Sequence, residues 1–270
     1  MSAARDNPRD VIRASLKASV RTSGGGGGEE ADVVTSAAKL FHLEAANYAN
    51  GATWPDSGPN GYTFTKYEVG TITKTASWTN GLPALEFAGA NEHFLATDVT
   101  DVGSAPSGRG FAFFMVGEFN GTADNRVVGL APTDDGSSDA DSHMWRLRSG
   151  TFVLDQVGFY DVTQFPQSSV PAGSPWVVGC RFPASPAGGN TTTYSLGNGT
   201  TTADSVVRRQ PSFVPDAPLV KWRIGHGTSV FGPSFDGKMA EVIVYGDDIT
   251  QQEMEDKVQE LADKYAILGA

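Results

Sequence analysis

The sequence predicts an all-β protein: two antiparallel sheets packed face to face, a short C-terminal helix and an N-terminal arm. Three observations predict it. The 270 residues include 32 glycines and 15 prolines, which cut the chain into short apolar runs, the punctuation of strands and turns. Those runs, Phe111–Phe119 and Val242–Tyr245 among them, are rich in aromatic and β-branched residues and too short for a helical core. The strongest helical period within residues 33–270 comes at the very end. Strands followed by a terminal helix favour a sandwich over repeated βαβ units.

The chain divides into an arm and tether, residues 1–32, and a sandwich domain, residues 33–270. Arg5, Arg9, Arg13, Lys17 and Arg21 recur every four residues and form one slowly drifting stripe on a helix. Asn7-Pro8 has the character of a helix start, with Asp10 in the first turn. Val11, Ile12, Leu16 and Val20 make an apolar face. Gly24 to Gly28 then ends any helix and acts as a flexible tether. The formal net charge is −11, but residues 1–22 hold five basic and two acidic residues, which leaves −14 on the remainder. An acidic body disfavours bare nucleic acid as a partner. No apolar run is long enough to span a membrane, and the N-terminus shows no secretory signal.

The domain opens with Ala38–Ala45, an edge strand, and a polar loop through Trp54-Pro55-Asp56 to Asn60-Gly61. In Phe111–Phe119, alternation sends Phe111, Phe113 and Met115 one way and Phe114 and Val116 the other. Val127–Leu130, Trp145–Arg148 and Trp176–Phe182 are further strands. The single cysteine, Cys180, shares a face with Trp176, Val178 and Phe182 and reads as a small buried hydrophobe. Thr192–Leu196 meets the hairpin signal Gly197-Asn198-Gly199. Asp236-Gly237 reads as a turn before the last strand, Val242–Tyr245. Thr250-Gln251-Gln252-Glu253 is a capping box, flanked by Ile249 and Met254 at staple spacing. Met254, Val258, Leu261 and Tyr265 then form one apolar stripe.

The loop Trp54…Asp56-Ser57-Gly58…Asn60-Gly61, the element Leu85–Leu95, the tyrosine strand at Thr192–Gly199 and the final strand and helix occur in the order found in concanavalin A-like, laminin G-like domains. From about residue 39 to 268 the chain resembles that family. The resemblance implies a two-sheet jelly roll that binds, adheres or assembles. In the company of a short arm it also resembles structural proteins of tailed bacteriophage, such as tail-fibre and capsid-decoration proteins. Glu241 matches a family glutamate that looks structural.

Chemistry is sought and mostly missing. Sandwich glycosidases carry carboxylates at alternate positions of one strand. Glu118 and Glu241 each stand alone among apolar residues, so the expectation is that the chain is not an enzyme. His42, His93, His143 and His226 show no metal-ligand spacing. No Gly-x-Ser-x-Gly elbow occurs. The cluster Asp134–Asp141 offers oxygen ligands for calcium, but its spacing is not that of an EF-hand, and no cofactor is expected. Trp54, Trp145 and Tyr160, with Trp78, are candidate sugar platforms, each weighed against a packing role. Asn120, Asn190 and Asn198 are sequons, read as polar turns.

The expectation is a structural or adhesion protein of a virion, made in the host cytoplasm. It is anchored by Arg5, Arg9, Ile12, Arg13, Leu16, Lys17, Val20 and Arg21 to other virion proteins or to its own copies, and it displays a sandwich to surface glycans. The alternative is a carbohydrate-binding or adhesion module of a cellular protein.

Overall fold

The computed structural model describes residues 32–34, 37–67, 71–89, 92–97, 99, 111–121, 125–131, 143–148, 151–156, 159–164, 172–182, 192–197, 200–202, 221–226, 234–247 and 249–267. The arm residues, the glycine tether, the acidic loop 134–141 and the sequons at Asn190 and Asn198 lie outside them.

Two antiparallel sheets form the domain. The first contains β1 (Lys39–Glu44), β4 (Thr73–Thr79), β5 (Leu82–Ala88), β7 (Phe111–Phe119), β12 (Pro175–Phe182), β13 (Thr192–Gly197), β14 (Thr200–Thr202) and β16 (Asp236–Tyr245). Its order is β14-β13-β12-β7-β16-β5-β4, with β1 also paired to β16. The second contains β2 (Thr53–Pro55), β3 (Thr63–Tyr67), β6 (His93–Ala96), β8 (Asn125–Ala131), β9 (His143–Arg148), β10 (Thr151–Gln156), β11 (Phe159–Gln164) and β15 (Lys221–Ile224). Its order is β11-β10-β9-β8-β15-β6-β3-β2. Helix α1 spans Gln251–Lys264.

The alternation read in β7 sorts its side chains into two cores. Phe111, Phe113, Met115 and Phe119 join Phe64, Phe94 and Trp222 between the sheets. Ala112, Phe114 and Val116 join Met254, Val258 and Leu261 beneath α1. β7 and β16 are therefore buried on both faces, which is why they read as continuous apolar runs. Cys180 falls in the inter-sheet core with Trp176 and Val178.

The capping box forms as the sequence predicts: Thr250 Oγ1 accepts from Glu253 N–H, and the Glu253 carboxylate accepts from Thr250 N–H. Ile249 and Met254 are both buried in the core under the helix. Asn80 and Gly81 turn β4 into β5 with φ of 49° and 72°, the two positive values a tight hairpin requires.

Two readings are corrected. Asp236-Gly237 is not a turn; it lies inside β16, with Gly237 opposite both Phe87 and Phe119. The glycine is there for close approach, because a Cβ at Gly237 would stand 2.1 Å from the Glu118 carbonyl oxygen. The polar loop after β1 contains the short edge strand β2, which pairs with β3. Pro55 is tolerated there because an edge strand leaves one side unpaired.

Candidate functional site

On the outer side of the first sheet, α1 packs over β7, β12 and β16. On the second sheet, β3 alternates a buried Phe64 with exposed Thr63, Thr65 and Tyr67, so its outward positions reach solvent. Tyr67 is 51% exposed, the most exposed large hydrophobic side chain among the described residues. It stands opposite His93 of β6. The Tyr67 and His93 ring centroids are 5.0 Å apart at 40°, and His93 in turn lies 5.1 Å from His226 at 36°. His93 and His226 are buried, 4% and 8% exposed. The three rings thus form a ladder with one exposed rung. The buried imidazole of His93 backs the phenol, and Thr63 and Thr65 are exposed on the same face of β3. In the next row, Arg223 of β15 stands opposite Leu95.

A second cluster lies where β1, β16 and the end of α1 meet. Glu44 and Glu241 are register partners. Glu241, 2% exposed, receives His42 Nε2 at 2.6 Å, Lys264 Nζ at 2.7 Å and the Tyr265 hydroxyl at 2.9 Å. Burial alone raises the pKa of Glu241. The hydrogen bond from His42 and the positive charge of Lys264 outweigh it and hold the carboxyl at about 2. With that carboxylate ionised, His42 Nε2 carries the donated proton. Burial lowers the Lys264 pKa, but Glu241 and Glu44 together leave it above the ordinary lysine value. Burial and the Glu241 charge push the Tyr265 phenol upward. His42, Glu44 and Glu241 are close enough to hold a cation. Lys264 already supplies one, 3.1 Å from Glu44 and 2.7 Å from Glu241. The cluster acts as a tie between helix and sheet.

The residues singled out in the sequence fall elsewhere. Trp54 presents no platform: it is fully enclosed, its indole N–H donates to the Glu44 carbonyl, and its ring packs on Phe94. β2 turns it inward, because on a half-buried edge strand the large ring takes the core side. Trp78 donates to Glu118 and packs near Tyr265. Trp145 lies in β9 opposite Val128, and Tyr160 in β11; their side chains are outside the described residues. Glu118 is half-buried and bridged to Lys238 at 2.7 Å. Asn120 is exposed and donates to Asp236. Tyr67, His93 and His226 escape a sequence reading because 26 and then 133 positions separate them. The sole local signal is the alternation Thr63-Phe64-Thr65-Lys66-Tyr67.

No family model matches the chain, and no curated protein matches it. Solved structures do. The chain is similar to a Trypanosoma rangeli sialidase in complex with sialic acid, with a TM-score of 0.58 at 15% identity over 95% of this chain and 38% of that one. It thus spans well under half of the sialidase chain. It is similar to domain 4 of AbnA, a GH43 extracellular arabinanase from Geobacillus stearothermophilus, in complex with arabinotriose. There the TM-score is 0.56 at 14% identity, over 83% of this chain and 100% of that one. It is also similar to the binding domain of botulinum neurotoxin DC in complex with rat synaptotagmin II, with a TM-score of 0.57 at 10% identity over 83% and 52%.

At these identities the likeness establishes a shared β-sandwich, as predicted. It also overturns the expectation that the chain is not an enzyme, since chains of a sialidase and of an arabinanase share this fold. The argument from a missing carboxylate pair looks along one strand. A sheet also pairs carboxylates across strands, as Glu44 and Glu241 show.

Proposed function

We propose that this chain is a glycan-binding sandwich module that takes sugar on the outer face of its second sheet, at Tyr67. The exposed Tyr67 ring, packed on the buried His93 imidazole that itself packs on His226, carries the reading. Aromatic faces pair an apolar platform with a polar tip, and the exposed Thr63 and Thr65 beside it provide hydroxyls for sugar oxygens. The similar arabinanase domain in complex with arabinotriose supports it, as does, over 38% of its chain, a sialidase in complex with sialic acid. The test is a soluble glycan panel probed with the full chain by calorimetry or affinity electrophoresis. Tyr67→Phe should keep binding, and Tyr67→Ala should lose at least about tenfold, the order of a lost stacking contact. Wild-type affinity in Tyr67→Ala, or no retained glycan, rejects the reading.

The arm favours a finer reading, a virion protein that displays this module from a tail fibre or capsid. Its support is the five basic residues at four-residue steps beside Ile12, Leu16 and Val20, ahead of the Gly24–Gly28 tether. Individual exposed ion pairs are worth about 0–1 kcal/mol, so the stripe and the apolar face act together. Deleting residues 1–28 should preserve sugar binding and abolish incorporation into the particle or oligomer. Undiminished assembly of the truncated chain rejects the anchor.

A further inference from the structure

We propose that His42, Glu44 and Glu241 form a binding site for Zn2+ or a divalent transition ion of its class, which enters by displacing the Lys264 ammonium. His42 and Glu44 are two residues apart on β1, so alternation sends both to one side of the strand. Glu241 of β16 is the register partner of Glu44. One imidazole nitrogen and two carboxylate oxygens, one from each residue, all lie within 4.8 Å of one another. His42 Nε2 is 2.6 Å from a Glu241 oxygen and 3.9 Å from a Glu44 oxygen. Zinc takes nitrogen and carboxylate oxygen at about 2.0–2.2 Å, which sets the corners of its tetrahedron about 3.3 Å apart. The two His42 distances bracket that value, and shifts of about 1 Å per side chain bring the three donors onto one ion.

The donors are held from behind, as the ligands of established metal sites are. Glu44 turns Oε1 towards the cluster, while its Oε2 accepts from the Ser57 hydroxyl at 3.2 Å and from the Asn47 amide at 3.3 Å. The Tyr265 hydroxyl donates to Glu241 Oε2 at 2.9 Å. The His42 backbone N–H donates to the Asp56 carboxylate at 2.7 Å, which fixes β1 at the point where the ligands leave it.

Charge and access favour exchange. Two carboxylates face one ammonium, so Lys264 leaves one negative charge uncompensated, and a divalent ion balances both. Lys264 is 36% exposed and Glu44 26%, so the lysine can swing into water and open the way in. The imidazole sets the class of ion. Calcium and magnesium take shells of oxygen, whereas imidazole nitrogen suits zinc and its neighbours. To coordinate, His42 Nε2 gives up the proton that it now donates to Glu241, and a neutral ring carries its proton on Nδ1. Three protein donors leave the fourth tetrahedral position to water. The ion then joins β1 to β16 in place of the lysine.

The test takes the untagged full chain, stripped by dialysis against a chelator, and titrates it with ZnCl2 by calorimetry. Co2+ serves as a second probe, because its visible absorption reports tetrahedral coordination. Wild type should bind zinc saturably and keep it in the presence of equal calcium. Glu44→Gln and His42→Gln should each weaken binding at least about tenfold. Lys264→Met removes the competing ammonium and should tighten binding about tenfold, and zinc should raise its thermal midpoint more than that of wild type. A lysine tie with no metal function predicts the opposite: no zinc effect on either protein. Failure of both wild type and Lys264→Met to bind zinc overturns the proposal. So does binding that survives both ligand substitutions, which places the ion elsewhere on the chain. Zinc bound no more tightly by Lys264→Met than by wild type rejects the exchange, and calcium bound as well as zinc rejects ligation by His42.

Discussion

Glu44 and Glu241 face each other across β1 and β16, and one ammonium, that of Lys264, reaches both at 3.1 and 2.7 Å. Opposed like charges would weaken the strand pair. With Lys264 between them they fasten the last turn of α1 to the sheet instead.

Lys264→Met keeps the aliphatic stem and removes the charge. The expected loss is about 1–3 kcal/mol. That is below the full cost of breaking a buried pair, because Lys264 is partly exposed and His42 remains on Glu241. Urea unfolding should show a lower midpoint with an unchanged slope. A variant as stable as wild type would mean that the ammonium does not hold the two carboxylates together.

Acid should expose the same tie. The folded pKa of Glu241, about 2, lies below the roughly 4.3 of an unfolded chain. The unfolded state therefore binds the proton first. The stabilisation is complete above the unfolded pKa and drains away as pH falls from about 4.5 towards 2. The shift corresponds to roughly 3 kcal/mol as an order of magnitude. Unfolding free energies measured from pH 5 to 2 should fall over that window, and Glu241→Gln should flatten the slope within it.

Gly237→Ala would place a methyl 2.1 Å from the Glu118 carbonyl oxygen. Backbone must move, separating β16 from β7 in the middle of the sheet. The cost should reach at least the roughly 1–3 kcal/mol of an overpacked core. An unchanged thermal midpoint would show that the two strands do not approach as closely as described.

At the helix start, Thr250→Ala removes the cap on Glu253 N–H. About 1 kcal/mol should be lost, and Thr250→Ser should restore most of it. Equal stability of all three proteins would leave the capping box without energetic weight.

The parts legible in the sequence are those whose cause is local. The period-two sorting of β7, the caps and stripe of α1 and the apolar run of β16 each depend on residues a few positions apart. Asp236-Gly237 misled because a glycine needed for close approach between strands looks the same as a glycine needed for a turn. The Tyr67 face and the charged tie were not legible for a different reason. Tyr67 meets His93, His93 meets His226, and His42 meets Glu241 across 199 positions, only after the strands have found their register. For Trp54, weighed as a sugar platform against a packing role, the three-residue β2 decides for packing by turning the ring inward.

β16 is the last described strand in sequence order and an interior one in space: it pairs with β1, β5 and β7 and contributes to both hydrophobic cores. The first sheet therefore cannot close until residues 236–245 are available. As the chain emerges during synthesis, β1, β4 and β5 on one flank and β7, β12 and β13 on the other must wait without their shared neighbour. Such long-range closure belongs with slow folding, on the order of milliseconds to seconds. It also makes the nascent chain dependent on its final segment: a ribosome that stalls before residue 236 would release two half-sheets with open edges, the form in which β proteins most readily aggregate.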